Sequence, residues 1–116
     1  MVMPRRPHTT SFTLAFGERM RSLRLELGIS LSQLSIASGI SKGHLSTIEL
    51  GFAAITTESI QRIAIALDVP PMYLFAFPDD NDYVIVADLA RQVPTTRLKK
   101  MQKILRRWIA EKEMQS

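Results

Sequence analysis

The sequence of 116 residues contains no cysteine, two histidines and one tryptophan. Without cysteine the chain forms no disulfide, no thiolate nucleophile and no cysteine-based zinc site, and it fits the reducing cytoplasm. The two histidines are far apart in the sequence, which argues against a metal site. No nucleophile paired with a base and no phosphate-binding glycine loop is recognisable. We therefore expect a cytoplasmic protein that is not an enzyme and needs no cofactor.

Long apolar runs are also missing. No segment approaches the length that crosses a bilayer, so no membrane partner is expected. Residues 1–16 contain arginines but no continuous apolar stretch after them, which is not the pattern of a signal peptide. The hydrophobic content of 46% is ordinary for a globular protein, and the length suffices for one compact domain with an additional segment.

The formal net charge of +4 is unevenly distributed. Residues 1–94 contain 8 Lys or Arg and 9 Asp or Glu, a net charge of −1, whereas residues 95–116 contain 7 and 2, a net charge of +5. The basic character therefore lies at the end of the chain. A domain formed by the earlier residues must use individual cations and helix N-termini for any contact with phosphate.

The pattern over residues 29–51 predicts two short helices joined at a glycine. Ser30 and Gln33 have the spacing of a capping box, in which each side chain accepts from the backbone N–H of the other residue. The first of the two helices should therefore cover residues 31–38. Gly39 then ends it, because glycine adopts the left-handed conformation without a Cβ penalty.

Ser41 caps the second of these helices, which should run to about residue 50 and stop at Gly51. Apolar residues occur where two crossing helices must meet, namely Leu34, Ala37, Ile40, Leu45 and Ile48. The pair is thus a helix-turn-helix. A short polar face remains on the outside of its second helix and suits base edges and phosphates in a major groove; it consists of Lys42, Gly43, His44, Ser46 and Thr47.

Three further helices are predicted around this pair. The first covers residues 13–27, with an apolar face of Phe16, Met20, Leu23 and Leu27. Another covers residues 57–67 after the cap Thr56, with a stripe of Ile60, Ile63, Ala64 and Leu67. A short fifth helix starts at Pro71 and closes the core with Met72, Leu74 and Phe75. The polar residues 78–82 then mark a domain boundary.

Two helices are expected beyond that boundary. The first includes the apolar residues of 84–93, and after Pro94 the last runs from about residue 97 to 113, capped by Thr95 or Thr96. The last helix has an apolar stripe of Leu98, Met101, Ile104, Leu105 and Trp108. The opposite face is basic, with Lys99, Lys100, Lys103, Arg106, Arg107 and Lys112.

This apolar stripe can fold back on the core, pair with a second copy or lie on a membrane surface. We favour a homodimer, because a small domain cannot cover the stripe in addition to its own core. The expected organisation is a flexible arm over 1–11, a helix-turn-helix domain over 12–78 and an oligomerisation segment over 79–116. Arg5 and Arg6 of the arm either belong to a disordered end or touch a minor groove.

The order of these elements resembles a known family. Residues 16–77 are similar to the Cro/CI-type helix-turn-helix domain of the xenobiotic response element family of bacterial and phage regulators. FGERMRSLRLELGIS resembles its opening helix, LSQLSIASGISKGHLSTIELG its two reading helices and TTESIQRIAIALDVPPMYLF its closing helices. The resemblance implies an all-α, five-helix, lambda-repressor-like fold. It also implies that the first reading helix seats on the phosphate backbone and the second enters the major groove.

By position, the resemblance places Lys42, Gly43, Ser46 and Thr47 against DNA, beside the cap Ser41. Lys42 could donate to guanine or to a phosphate, against the alternative of a solvated surface lysine. His44 either donates to a phosphate or lies at the rim. Leu31 stands where many members have a phosphate-contacting Gln, so that contact would pass to Ser30, Ser32 or Gln33.

The resemblance implies two further features. Arg24 and Glu49 occupy positions where members of the family form an internal ion pair between the first helix and the end of the recognition helix. Residues 79–116 resemble, in layout more than in residues, the SinR-type repressors of biofilm formation and sporulation. In those repressors such a C-terminal helical hairpin mediates oligomerisation and binds an antagonist protein.

The sequence therefore favours a sequence-specific regulator of transcription that binds double-stranded DNA. Its simplest form is a repressor that binds a palindromic operator as a homodimer through the C-terminal helices. The alternative is a protein-interaction module, such as an antitoxin, for which DNA binding is secondary. A protein antagonist is a further possible partner.

Overall fold

The computed structural model describes residues 9–77 and 81–115. These two ranges belong to two separate compact units. The described residues are helical and include no β-strand. The first unit contains α1 (Ser11–Glu26), α2 (Leu31–Ser38), α3 (Lys42–Glu49), α4 (Thr57–Leu67) and a 3-10 helix (Pro71–Phe75). The second contains α5 (Asp82–Ala90) and α6 (Thr95–Gln115). The all-α class and the order of the helices are as predicted.

The limits of the central helices follow from local capping. The Ser30 hydroxyl accepts from the Gln33 N–H at 3.1 Å and the Gln33 side chain accepts from the Ser30 N–H at 2.7 Å. Gly39 ends α2 in the left-handed region with φ 73°. Because these signals lie within a few residues of each other, α2 has the predicted limits.

The ends of two other helices differ from the prediction. α1 begins at Ser11, two residues before the predicted start, because Thr10 and Thr13 form a capping box. Residues 1–8, which include Arg5 and Arg6, lie outside the described residues. Thr95 and Thr96 lie within α6 instead of capping it, because the carbonyl oxygen of Pro94 already accepts from the Arg97 N–H at 2.9 Å.

The core of the first unit lies between α1, α2, α3 and α4, closed by the 3-10 helix. Its buried apolar residues are Phe16, Met20, Leu23, Leu34, Ile40, Leu45, Ile48, Ile63, Ala64, Leu67 and Leu74. Three predicted members are wrong. Leu27 is exposed because it follows the last turn of α1, and Met72 is exposed in the 3-10 helix. Ala37 is exposed as well, and its neighbour Ser38 is the buried residue at this end of α2. The buried Ser38 hydroxyl accepts from the Ile40 N–H at 3.2 Å.

Within residues 81–115, the described part of the second unit, no residue is buried. Leu98 and Met101 of α6 are half-buried, whereas Ile104, Leu105 and Trp108 are exposed. No helix in the described part of the chain is long and apolar enough to cross a membrane.

Gly17 sets the distance between α1 and α3. A Cβ at this position would lie 2.4 Å from the carbonyl oxygen of Ile48 and 2.5 Å from that of Glu49. Both neighbours are backbone atoms and cannot rotate away as a side chain does. A side chain at residue 17 is therefore incompatible with the observed packing.

We expect Gly17→Ala to lower the free energy of unfolding by about 3 kcal/mol or more, because the extra methyl forces α1 and α3 apart. Urea unfolding followed by circular dichroism measures the change. Gly43→Ala is the matched control, since no atom lies within 4 Å of a Cβ at that helical position. It should stabilise the protein by up to about 1 kcal/mol. Equal stability of the wild type and Gly17→Ala would contradict the role of Gly17.

Candidate nucleic-acid interface

A buried ion pair holds the end of α3 against α1. Arg24 Nε donates to Glu49 Oε2 at 2.7 Å and Arg24 Nη2 donates to Glu49 Oε1 at 2.9 Å, a bidentate arrangement. The two side chains are only 10% and 7% exposed. Arg24 Nη1 also donates to the Ile29 carbonyl oxygen at 2.9 Å. One guanidinium thus links α1, the segment before α2 and the end of α3.

The hydrogen bonds with Glu49 raise the pKa of the Arg24 guanidinium above its ordinary value, although burial opposes the shift. Arg24 is therefore charged at neutral pH. It lies at the C-terminal end of α3, where a cation is favoured by the helix dipole. The pair is a structural element, and neither side chain is available to a ligand.

The first turn of α3 presents the polar face that the sequence predicted. Lys42, Gly43 and His44 are exposed, and Ser46 and Thr47 are half-buried. Lys42 and Gly43 occupy the first two positions after the cap, whose Ser41 hydroxyl accepts from the His44 N–H at 3.2 Å. The ammonium group of Lys42 is therefore at the exposed N-terminal end of the helix.

The hydroxyl of Thr47 already donates its hydrogen within the protein. Thr47 Oγ1 donates to the carbonyl oxygen of Gly43 at 2.9 Å. The oxygen still has lone pairs, so Thr47 can accept a hydrogen bond while its hydrogen is committed. An exocyclic amino group of adenine or cytosine is the matching donor in a major groove.

The N-terminal end of α2 supplies further polar groups. Ser30 and Gln33 are both exposed and use their oxygens in the capping box, which leaves the side-chain NH2 of Gln33 as a donor. Ser32 is exposed beside them. Leu31 is half-buried and packs against the core, so this position adds no polar contact.

Sequence reasoning missed Arg21 as a candidate contact. A cleft of about 300 Å³ lies beside α3 and is lined by Arg21, Arg24, Leu31, Ser46, Glu49 and Leu50. Arg21 is exposed, one helical turn before the buried Arg24. The Arg-x-x-Arg spacing of α1 contains the signal, because residues three apart share a helix face. The structure thus places Arg21 and Ser46 of the polar face on the lining of one cleft.

Few cations of this unit are available to an anionic partner. Arg19 is buried and donates to the Tyr73 carbonyl oxygen at 2.8 Å, and Arg62 pairs with Glu58 at 2.7 Å. Within residues 9–77, Arg21 and Lys42 are the Lys or Arg residues that have no hydrogen bond or ion pair. Among all described residues, no group of three or more His, Asp or Glu side chains could hold a metal ion.

These features define a helix-turn-helix protein: five helical segments around one core, with a short polar helix presented at the surface. A helix-turn-helix family model, HTH_3, matches residues 20–74. The HTH-type transcriptional regulator SinR of Bacillus licheniformis is 36% identical over 70 residues, which are 58% of this chain and 61% of that protein. The chain therefore spans less than two thirds of the length of this curated relative.

Solved structures give the same result. The restriction-modification controller protein C.AhdI from Aeromonas hydrophila is 32% identical with a TM-score of 0.56, over 57% of this chain and all of that one. The clp gene regulator ClgR from C. glutamicum is 29% identical with a TM-score of 0.54, over 57% of this chain and 86% of that one. The chain belongs to the Cro/CI-type helix-turn-helix family of transcriptional regulators. This family is not a class of enzymes.

We expect Glu49→Ala to lower the free energy of unfolding by about 3 kcal/mol or more, because Arg24 is left as a buried cation without its carboxylate. Chemical denaturation measures the change. Glu58→Ala is the matched control, since the Arg62–Glu58 pair is 50% and 71% exposed. Its loss should cost less than about 1 kcal/mol. Similar losses in the two variants would show that α3 does not depend on the buried pair.

Proposed function

We propose that this protein is a sequence-specific regulator that binds double-stranded DNA in the cytoplasm, and that it acts as a repressor by occupying a palindromic operator as a homodimer. The observation that carries the proposal is the exposed polar first turn of α3, held rigidly by the Arg24–Glu49 pair. A helix presented in this way enters a major groove with its N-terminal residues toward the base edges.

The residue types of the polar face suit base reading. Lys42 is a donor for guanine O6 and N7 or for a phosphate, and Thr47 is an acceptor for an amino group. Gly43 has no side chain and lies in open space, so the backbone can approach the DNA closely. Arg21, Ser32 and the Gln33 amide add donors for phosphates on either side of the groove.

We expect Lys42→Ala to weaken binding to duplexes obtained by in vitro selection, with the wild-type fold retained. If Lys42 contacts a base, the loss is about 1–3 kcal/mol and selectivity relaxes at one position of each half-site. If it contacts a phosphate, all sequences lose affinity and the salt slope falls by about one for each phosphate that Lys42 neutralises.

Fluorescence anisotropy over a range of salt concentrations separates these two results. Lys112→Ala is the control for the loss of one positive charge, because Lys112 lies near the end of α6. Unchanged affinity and selectivity of Lys42→Ala would remove the first turn of α3 from the mechanism.

Homodimerisation is proposed from the apolar stripe of α6. Leu98, Met101, Ile104, Leu105 and Trp108 are spaced three or four residues apart, and none of them is buried. Trp108 is 59% exposed, which is costly for so large an apolar side chain. The same stripe on a second copy is a complementary surface, because a twofold interface uses one patch on both subunits. Two paired copies would present recognition helices to successive major grooves about 34 Å apart.

We expect Leu105→Glu to convert the dimer into a monomer, since it places a carboxylate in the centre of the proposed interface. Light scattering of the full chain at several concentrations measures the molar mass. Met114→Glu is the matched control: Met114 is an apolar residue of α6 that is 87% exposed and lies outside the stripe.

The control variant should retain the wild-type mass. A monomeric wild-type protein would overturn the proposed homodimer; binding of an antagonist or a toxin to the stripe would then be tested by capture of a second protein with the full chain. A dimeric Leu105→Glu variant would place the interface elsewhere.

A further inference from the structure

The face of α6 opposite the apolar stripe is strongly basic. At about 100° per residue, its first turns place five cations within about 120° of the helix circumference. These residues are Lys99, Lys100, Lys103, Arg106 and Arg107, and all are exposed. The two carboxylates of α6, Glu111 and Glu113, come only after them. We call this set of five residues the basic stripe.

The cations of the basic stripe are not neutralised within the unit. Arg107 Nε lies 3.9 Å from Glu111 Oε1, and these side chains are 68% and 58% exposed. An exposed pair at that distance contributes little. The other four members form no ion pair with any described residue. Five like charges on one helix face repel each other. The approach of an anionic partner relieves this repulsion and therefore lowers the free energy.

The described residues of the first unit contain few cations for the proposed function. Its described residues contain five Lys or Arg and five Asp or Glu, and of these cations only Arg21 and Lys42 form no hydrogen bond or ion pair. A protein that makes about 6–10 phosphate contacts has the steep salt dependence that is familiar from specific DNA-binding proteins. Arg21 and Lys42 supply four cations in the proposed dimer, which is below that range, whereas the basic stripe adds five in each copy.

We propose that the basic stripe of α6 binds the phosphates of double-stranded DNA without sequence preference. The inference rests on the proposed DNA-binding function and assigns most of its electrostatic component to α6. Lys99 and Arg107 are about 12 Å apart along the helix, a length that spans about three phosphates of one DNA strand. The apolar stripe and the basic stripe lie on opposite faces, so pairing of two copies leaves both basic stripes at the outside of the dimer.

The test uses the full-length double variant Lys99→Gln/Lys103→Gln. Glutamine has a helix propensity similar to that of lysine, so α6 is preserved while two charges are removed. Binding to the selected duplex and to a scrambled duplex is measured over a range of salt concentrations. We expect both affinities to fall by about tenfold or more, with their ratio unchanged, and the salt slope to fall by about 0.9 for each phosphate that the variant no longer neutralises.

The matched control is Arg97→Gln/Lys112→Gln. It removes the same net charge from the same helix, but helical geometry places both residues on the apolar side of α6, so the prediction that Lys112 belongs to the basic face is wrong. Because this side is the proposed dimer interface, light scattering first establishes that the control has the same molar mass as the wild type. If the basic stripe binds the phosphates, the control keeps most of the wild-type salt slope. Equal losses in the two double variants would reduce the effect to net charge and overturn the inference.

Other outcomes are also decisive. If the wild type binds the selected duplex and Lys99→Gln/Lys103→Gln binds it with the same slope, this inference fails while the proposed function stands. If in vitro selection yields no duplex that the wild type prefers over a scrambled duplex, the proposed function itself fails. A third result concerns phosphatidylserine vesicles. If the wild type binds them and Lys99→Gln/Lys103→Gln does not, while the salt slope of DNA binding is the same for both proteins, α6 is assigned to a membrane surface and the inference is overturned.

Discussion

The contact of α1 with the end of α3 is the constraint on which the rest of the first unit depends. α3 has only eight residues, a length at which an isolated helix is unstable in water. At Gly17 the backbones meet so closely that no side chain fits, and the bidentate Arg24–Glu49 pair fixes the rotation of α3 about its axis. Without both contacts the polar first turn would have neither a fixed position nor a fixed orientation, and the reading of a base sequence requires both.

The parts of the fold that could be predicted from the sequence are those with local causes. The beginnings of α2, α3 and α4 each depend on a side chain that accepts from a backbone N–H three residues later, and the end of α2 depends on the left-handed conformation of Gly39. Burial depends on neighbours that are distant in sequence, and here the prediction was partly wrong. Ala37 and Leu27 fit an apolar period but face solvent, while Ser38 is buried because its hydroxyl is satisfied by the Ile40 N–H. Gly17 could not be recognised at all, since only the packed structure shows what lies against it.

The candidate site divides in the same way. Its exposed face on α3 could be predicted, because Lys42 and His44 are polar residues of a capped helix whose buried positions, Leu45 and Ile48, were evident. The commitment of the Thr47 hydrogen to the Gly43 carbonyl could not be predicted, because the rotation of a hydroxyl is not encoded in residue spacing. Arg21 belonged to a visible motif, but the cleft that it shares with Ser46 depends on how α1 packs against α3. The chemical type of the side chains at the site could thus be predicted from the sequence. The direction of their hydrogen bonds and their accessibility to a partner could be found only in the structure.

The uneven charge of the chain separates two requirements of a DNA-binding regulator. A contact with phosphates contributes the same free energy on every sequence, so it raises occupancy and leaves the ratio of specific to non-specific affinity unchanged. A base contact changes that ratio, and in a symmetric dimer each base contact is made twice, which doubles its contribution to the free-energy difference. In the proposed assembly α3 therefore determines which sequence is bound, the apolar stripe of α6 multiplies that preference, and the basic stripe sets how much salt the complex tolerates. A nearly neutral reading domain then adds little sequence-independent affinity of its own, so the base contacts of α3 account for a larger share of the free energy that this domain contributes.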